Sequence, residues 1–300
     1  MARTGTGSAF ARVALAGNPS DGYGGRTLAV VIRDFEAKAT AAEAAEDELR
    51  TPGEGGEPLM QAALTRFRRR IGASRPVKLS CTTNVPREVG LAGSSAIVIA
   101  CARALCNLHG AQLEHDELAR LALAVEAEDL GIAAGLQDRM VQARETLVAM
   151  DFGGHAVYEE LDPTLLPPLF IAWHPDAAAA SGLVHGELRE RHARGDKQVR
   201  DAMTNLAEHA SAARQALQQR DEREFARAVN ASFDERLRIM HVDPLTAAMV
   251  DAARTAGASA NSAGSGGAIV GTLDGDDCWG RLRAALEDMG ASSIRPRTNP

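Results

Sequence analysis

Aromatic side chains are scarce in this chain, at 4% of its 300 residues. Few rings leave few platforms for stacking single-stranded bases. The formal charge of −7 lacks the basic excess that a general nucleic-acid binder requires. Cysteines are also few: Cys81, Cys101, Cys106 and Cys278 lie in or beside apolar segments, without paired metal-ligand spacing. They read as buried thiols of a reducing compartment, not as disulfide staples or zinc ligands. No apolar run reaches the ~20 residues that span a bilayer. The Gly/Ser/Thr-rich beginning lacks the hydrophobic stretch of a signal peptide, so a cytoplasmic location is expected. Gly-x-x-x-x-Gly-Lys-Ser/Thr is absent, as is the protein-kinase motif set, which excludes two common routes to nucleotide chemistry. Neither a membrane nor a nucleic-acid partner is expected, and the oligomeric state is not legible.

With 45% apolar residues the chain can bury a substantial core. Its most informative segment is Pro86-Arg87-Glu88-Val89-Gly90-Leu91-Ala92-Gly93-Ser94-Ser95-Ala96, which feeds straight into an apolar run over 97–108. Glycines let a backbone approach a ligand closely. Hydroxyls then arrive where a helix begins and its first N–H groups lack intrahelical acceptors. Such a helix start is a ready anion site. Read as residues alone, the segment is either a phosphate cradle or an ordinary turn and N-cap.

Three ordered segments resemble the motifs of the GHMP kinases. Pro86–Ala96 is similar to the phosphate-binding Pro-x-x-x-Gly-Leu-x-Ser-Ser-Ala, with one residue inserted. Residues 12–21, Arg-Val-Ala-Leu-Ala-Gly-Asn-Pro-Ser-Asp, resemble the N-terminal motif. Residues 262–268, Ser-Ala-Gly-Ser-Gly-Gly-Ala, resemble the C-terminal glycine loop. Segments 17–27, 135–139 and 147–152 are similar to the glucuronokinase-like branch, in which Asn-Pro-Ser-Asp replaces Gly-Glu-His. The resemblance implies an α+β, two-domain GHMP kinase fold, ribosomal-protein-like at the N-terminus and ferredoxin-like at the C-terminus. The stretch 162–168 holds three prolines and marks the expected division into 1–162 and 163–300.

The pattern of elements agrees with that class, since strands and helices alternate in both halves. Strands are expected at 12–16, 27–33, 77–83, 146–152, 169–174, 268–273 and near 294. Helices are expected at 59–71, 95–107, 116–129, 245–256 and 279–289, with a long charged helical stretch over 196–238. Residues 1–9 read as a loose terminus. The Ala/Glu-rich stretch 37–56 reads as a surface helix followed by a loop.

Phosphoryl transfer needs a triphosphate cradle, magnesium, a cation near developing charge and a group that orients the attacking hydroxyl. The resemblance implies ATP and Mg2+ as cofactors, with Pro86, Gly90, Leu91, Ala92, Gly93, Ser94, Ser95 and Ala96 holding the nucleotide. Ser95 is expected to place its hydroxyl on magnesium, and Glu126 to supply the carboxylate. Glu126 lies twelve positions before Asp138, the spacing of these groups in galactokinase-like relatives. Asp138 is the expected catalytic acid–base group, or else a plain N-cap. Arg12 is the expected catalytic cation. Asp21 is expected to contact sugar hydroxyls, and Arg26 or Arg139 to read a substrate carboxylate as a bidentate fork. Gly264, Gly266 and Gly267 are expected at the substrate. The implied activity is ATP-dependent phosphorylation of a sugar, with the anomeric hydroxyl of glucuronic acid or a related sugar favoured. Two alternatives stay open: a GHMP kinase for a non-sugar alcohol such as mevalonate, and a nucleotide-binding sensor without activity.

Overall fold

The computed structural model of the chain describes every residue except 1, 2, 52, 54, 178–180 and 300, and the side chains of 181–185. It forms two compact units. The first comprises the described residues up to Ala11, Arg33–Pro86 and Ala92–Glu145; the second comprises Arg12–Ile32, Arg87–Leu91 and the chain from Thr146 onward. The expected single cut between 162 and 163 thus meets a structure whose units interleave. The cause is that strands β1 (Thr4–Ala16) and β2 (Arg26–Glu43) each run through both units.

In the first unit the later part of β2 pairs antiparallel with β4 (Val77–Thr83), from Ala37 opposite Thr83 to Glu43 opposite Val77. A short strand β3 (Glu48–Arg50) adds to β4 in parallel. Helices α1 (Gly56–Ile71) and α2 (Gly93–His109) pack on β3 and β4 of this sheet, and α3 (His115–Ala124) and α4 (Leu136–Arg144) pack on α2. Two expectations fail here for a common reason. Residues 4–9 are strand, not a loose terminus: added Cβ atoms at Gly5 and Gly7 would lie 2.2 Å from the Ala104 carbonyl oxygen and 2.4 Å from that of Ala100. The missing side chains let β1 lie directly on the backbone of α2. Residues 37–43 are strand, not helix. Ala37, Ala39 and Ala41 are buried while Lys38 and Thr40 are exposed, so a period of two overrides the helix preference of alanine.

In the second unit the first part of β2 pairs with β5 (Leu147–Asp151), from Arg26 opposite Asp151 to Val30 opposite Leu147, and β5 pairs with β6 (Val157–Leu161). A separate antiparallel sheet follows. Its strands are β7 (Leu169–Trp173), β8 (Asn261–Ser262), β9 (Ala268–Thr272) and β10 (Ser292–Ile294), in the order β10-β7-β9-β8. The stretch 196–238 is two helices, and others flank it: α5 (Ser181–Ala193), α6 (Lys197–Gln219), α7 (Glu222–Ile239), α8 (Pro244–Thr255) and α9 (Gly275–Asp288). Asp196, Asp221 and Asp243 accept backbone N–H bonds at the starts of α6, α7 and α8. Each such cap stabilises its helix by ~1 kcal/mol. Arg220, at φ 55°, and the cap at Asp221 together break the long stretch in two. Phe170, Phe233, Met249, Val250 and Leu282 centre a core between the sheet and helices α7 to α9. Among the described residues no helix is long and apolar enough to cross a membrane.

Candidate active site

Strand β4 delivers the chain to a loop with left-handed backbone at Glu88 (φ 59°), Gly90 (φ 79°) and Ala92 (φ 61°). Helix α2 starts immediately after it, at Gly93. Ala92 occupies the N-cap and offers no side-chain acceptor, so no hydroxyl or carboxylate caps the helix from that position. The first N–H groups of a 17-residue helix are left for an anion.

Just inside this helix mouth the two serines face different ways. Ser94 Oγ donates to Glu126 Oε1 at 2.6 Å. Ser95 is fully buried; its Oγ bonds Gln142 Oε1 at 2.6 Å and the Ala92 carbonyl at 3.2 Å. The hydroxyl expected on magnesium, Ser95, is therefore occupied by the protein interior, and Ser94 stands beside the carboxylate instead. Adjacent helical residues point about 100° apart, so one faces the core when its neighbour faces the loop. Gln142 was not foreseen. It is fully buried and its Nε2 donates to the Phe10 and Ala92 carbonyls at 2.8 and 2.9 Å, fixing the loop against β1. Its place one helical turn after Asp138 is a signal that could have found it.

Glu126 lies in a π-helical turn, Val125–Asp129, that continues α3, a distortion frequent at functional sites. Its carboxylate is fully buried and Oε2 accepts from Arg139 Nε and Nη2 at 2.8 and 2.5 Å. Arg139 Nη1 also donates to Asp138 Oδ2 at 3.3 Å and to the Gly135 carbonyl at 2.8 Å. One guanidinium thus holds both acids. Arg139 is 4% exposed and spent on these partners, which removes it as the reader of a substrate carboxylate. Asp138 is the third residue of α4, whose N-cap is Gly135, so the plain N-cap alternative for Asp138 falls. A hydroxyl and a carboxylate at an uncapped helix start suit magnesium, which takes one or two protein oxygens plus phosphate oxygens and water. The donor set fits a magnesium–nucleotide complex.

In the second unit the N-terminal motif and the glycine loop are tied together by arginines. Arg12, 4% exposed, donates through Nη1 to the carbonyls of Gly90 and Ala263 at 2.9 and 2.7 Å, and its backbone N–H bonds Leu91 O at 3.3 Å. A Cβ at Gly264 would lie 2.2 Å from the Gly90 carbonyl oxygen, and one at Gly90 2.8 Å from that of Gly266. The two glycine loops touch backbone to backbone, and Gly264, Gly266 and Gly267 are packed against the phosphate loop. The Asn18–Pro19 peptide is cis, and Asp21 follows in a 3₁₀ turn, Ser20–Tyr23. Arg26 is half-exposed and bonds Asp151 at 2.7 Å and Ser211 at 3.3 Å. Its guanidinium holds the Asp151 carboxyl below the usual range. Arg236 is the second residue that sequence reasoning missed. It donates to the carbonyls of Asn18 at 3.3 Å and Gly264 at 2.9 Å, and is buried. The signal was available: Phe225, Val229, Ser232 and Arg236 share the buried stripe of α7, where a charge is out of pattern.

Residues 58–145 match the family model described as GHMP kinases N terminal domain. The chain is 33% identical to Glucuronokinase 1 of Arabidopsis thaliana over 87% of its own length and 83% of that protein's. The chain belongs to the GHMP kinase family. It falls in the glucuronokinase-like branch: Probable glucuronokinase 2 of the same plant is 34% identical over 87% of this chain and 82% of its own. This GHMP kinase also shares its fold with solved members. The galactokinase of Lactococcus lactis, solved with galactose, superposes with a TM-score of 0.85 over 98% of this chain and 93% of its own, at 16% identity. The phosphomevalonate kinase of Streptococcus pneumoniae gives 0.82 over 99% and 100%, at 17% identity. The two-domain α+β GHMP kinase fold expected from the motifs is the one observed. The enzyme is an ATP-dependent sugar kinase.

Proposed function

We propose that this kinase transfers the γ-phosphoryl group of ATP to the anomeric hydroxyl of glucuronic acid or a related uronic acid, yielding the sugar 1-phosphate and ADP. The observation that carries the mechanism is the Ser94–Glu126–Arg139–Asp138 chain of hydrogen bonds at the mouth of α2. The whole-chain likeness to the two plant glucuronokinases supports the substrate class.

In this reading the loop from Pro86 through Gly90, Leu91, Ala92 and Gly93 to Ala96 cradles the phosphates with main-chain N–H groups. Ser94 and Glu126 hold magnesium, and Ser95 secures the loop through Gln142. When bound, magnesium offsets charge on the terminal phosphates. Asp138 accepts the proton of the sugar hydroxyl as its oxygen bonds to phosphorus and the bond to the ADP oxygen breaks. A positioned base of this kind contributes ~10²–10⁴-fold in rate. Arg139 holds Asp138 and Glu126 in place by pairing with both. Arg12 supplies a fixed cation next to the Gly90 carbonyl. Asp21 accepts from sugar hydroxyls, while Gly264, Gly266 and Gly267 shape the loop behind it. Arg26, with its pair to Asp151, stays a surface contact of the sugar turn. Along the sequence the family's N- and C-terminal domains are assigned to 1–162 and 163–300, a division that does not coincide with the two interleaved compact units. The four cysteines are all free and buried, which suits a reducing cytoplasm.

ADP release measured across neutral sugars, uronic acids and mevalonate tests the reading. Turnover with glucuronic acid, and a product labile to mild acid as a sugar 1-phosphate is, are the expected results. Turnover confined to neutral sugars removes the uronic acid, and turnover with mevalonate alone removes the sugar.

A further inference from the structure

A uronic acid differs from a neutral sugar by one carboxylate, and something must balance that charge. The two arginines that the motifs suggest for this task are committed elsewhere. Arg139 is closed on Glu126 and Asp138, and Arg26 on Asp151. Arg236 is differently placed. Its hydrogen bonds go to two neutral main-chain oxygens, those of Asn18 and Gly264. Its Nε–H, also buried, has no acceptor among the described residues. It is only 2% exposed, and it makes no ion pair among the described residues.

A buried cation without a paired anion is costly unless a ligand supplies the missing charge. Burial and the neighbouring Arg12 push Arg236 down to about 10, while Asp21 pulls the other way, so it stays protonated at neutral pH. Its location adds the chemistry. Asn18 opens the Asn-Pro-Ser-Asp turn that carries Asp21, and Gly264 opens the glycine loop. The charge therefore lies directly beneath the turn that we assign to the sugar.

We propose that Arg236 is the specificity-determining cation of this kinase, selecting acidic sugars over neutral ones by placing under the sugar turn a buried positive charge that has no ion pair among the described residues. The inference rests on the reading of the enzyme as a uronic-acid kinase. An oxyanion at this place has two sources, the carboxylate of the sugar or a phosphoryl oxygen of ATP, and the sugar carboxylate is the one that differs between substrates.

The test compares kcat/KM for glucuronic acid and for glucose and galactose in wild type, R236M and R236K, with KM for ATP and the melting temperature alongside. R236M is expected to lose at least tenfold more kcat/KM on glucuronic acid than on the neutral sugars, with KM for ATP within about threefold of wild type. R236K keeps the charge and loses the two-carbonyl fork; it should fold, turn over more slowly on every sugar and retain the preference. An equal loss on all sugars in R236M, a loss confined to ATP, or a lost preference in R236K overturns the assignment. Should R236M not fold, R236K decides alone. A wild type that ignores glucuronic acid overturns the proposed substrate and this inference together. A wild type that prefers it, beside an R236M that still does, overturns this inference only.

Discussion

Exchanging the roles of two adjacent serines is a sharp test of the site. Ser95→Ala removes the hydroxyl that Gln142 Oε1 accepts from in the interior. Leaving a buried acceptor unsatisfied costs ~1–3 kcal/mol of stability. Ser94→Ala removes the donor to Glu126 Oε1, but Oε2 of the same carboxylate keeps both of its Arg139 bonds. Its stability loss should lie at the lower end of the same range. The decisive difference is in ligand response. A saturating magnesium–nucleotide complex at 100 times Kd stabilises wild type by ~2.7 kcal/mol. A tenfold weaker Kd in Ser94→Ala removes ~1.4 kcal/mol of that increment, whereas Ser95→Ala should keep it in full. Denaturant titration with and without magnesium and a non-hydrolysable ATP analogue measures both quantities, and calorimetry gives Kd directly. A Ser95→Ala protein that loses the increment while Ser94→Ala keeps it would refute the assignment of the metal hydroxyl to Ser94.

Asp138→Asn should bind ATP normally and lose ~10²–10⁴-fold in phosphoryl transfer, seen in ADP release; near-normal turnover removes Asp138 from the chemistry. Arg139→Met should destabilise by ~3–5 kcal/mol, because Glu126 is left as a buried unpaired charge. Adding Glu126→Gln to it should recover most of that loss in a double-mutant denaturation series, and no recovery would show that the pair does not carry the cost. Asp47 is held down to about 2 by its hydrogen bonds with Arg68, against 3.8 for a free carboxyl. A depressed carboxyl stabilises above the unfolded value, and the benefit is lost as pH falls from about 4 towards 2. Asp47→Asn should therefore lower the denaturation midpoint at pH 7 and leave it nearly unchanged at pH 2; equal shifts at both would dismiss the linkage.

Much of the molecule was legible in its residues. Helix α8, with Asp243 at its start, carries its own limits, whereas the stretch 196–238 reads as one and is broken between α6 and α7. The phosphate-loop and Asp138 candidates stood out because glycines, paired hydroxyls and a lone acid in ordered motifs are properties of local sequence. Failures arose where a partner decided. Gly5 and Gly7 look like a loose end until the backbone of α2 is laid against them. The alternating alanines of β2 resemble a helix until β4 pairs with them.

Sequence by itself determined the family, the order of elements and the chemical types available for phosphoryl transfer, since each depends on residue identity and short-range spacing. Tertiary structure alone decided the direction and partner of each side chain. It turned Ser95 inward and Ser94 towards Glu126, spent Arg139 on two acids and brought Arg236 beneath Asn18. Partners up to 251 residues apart in the chain are chosen by packing, and no local pattern encodes that choice.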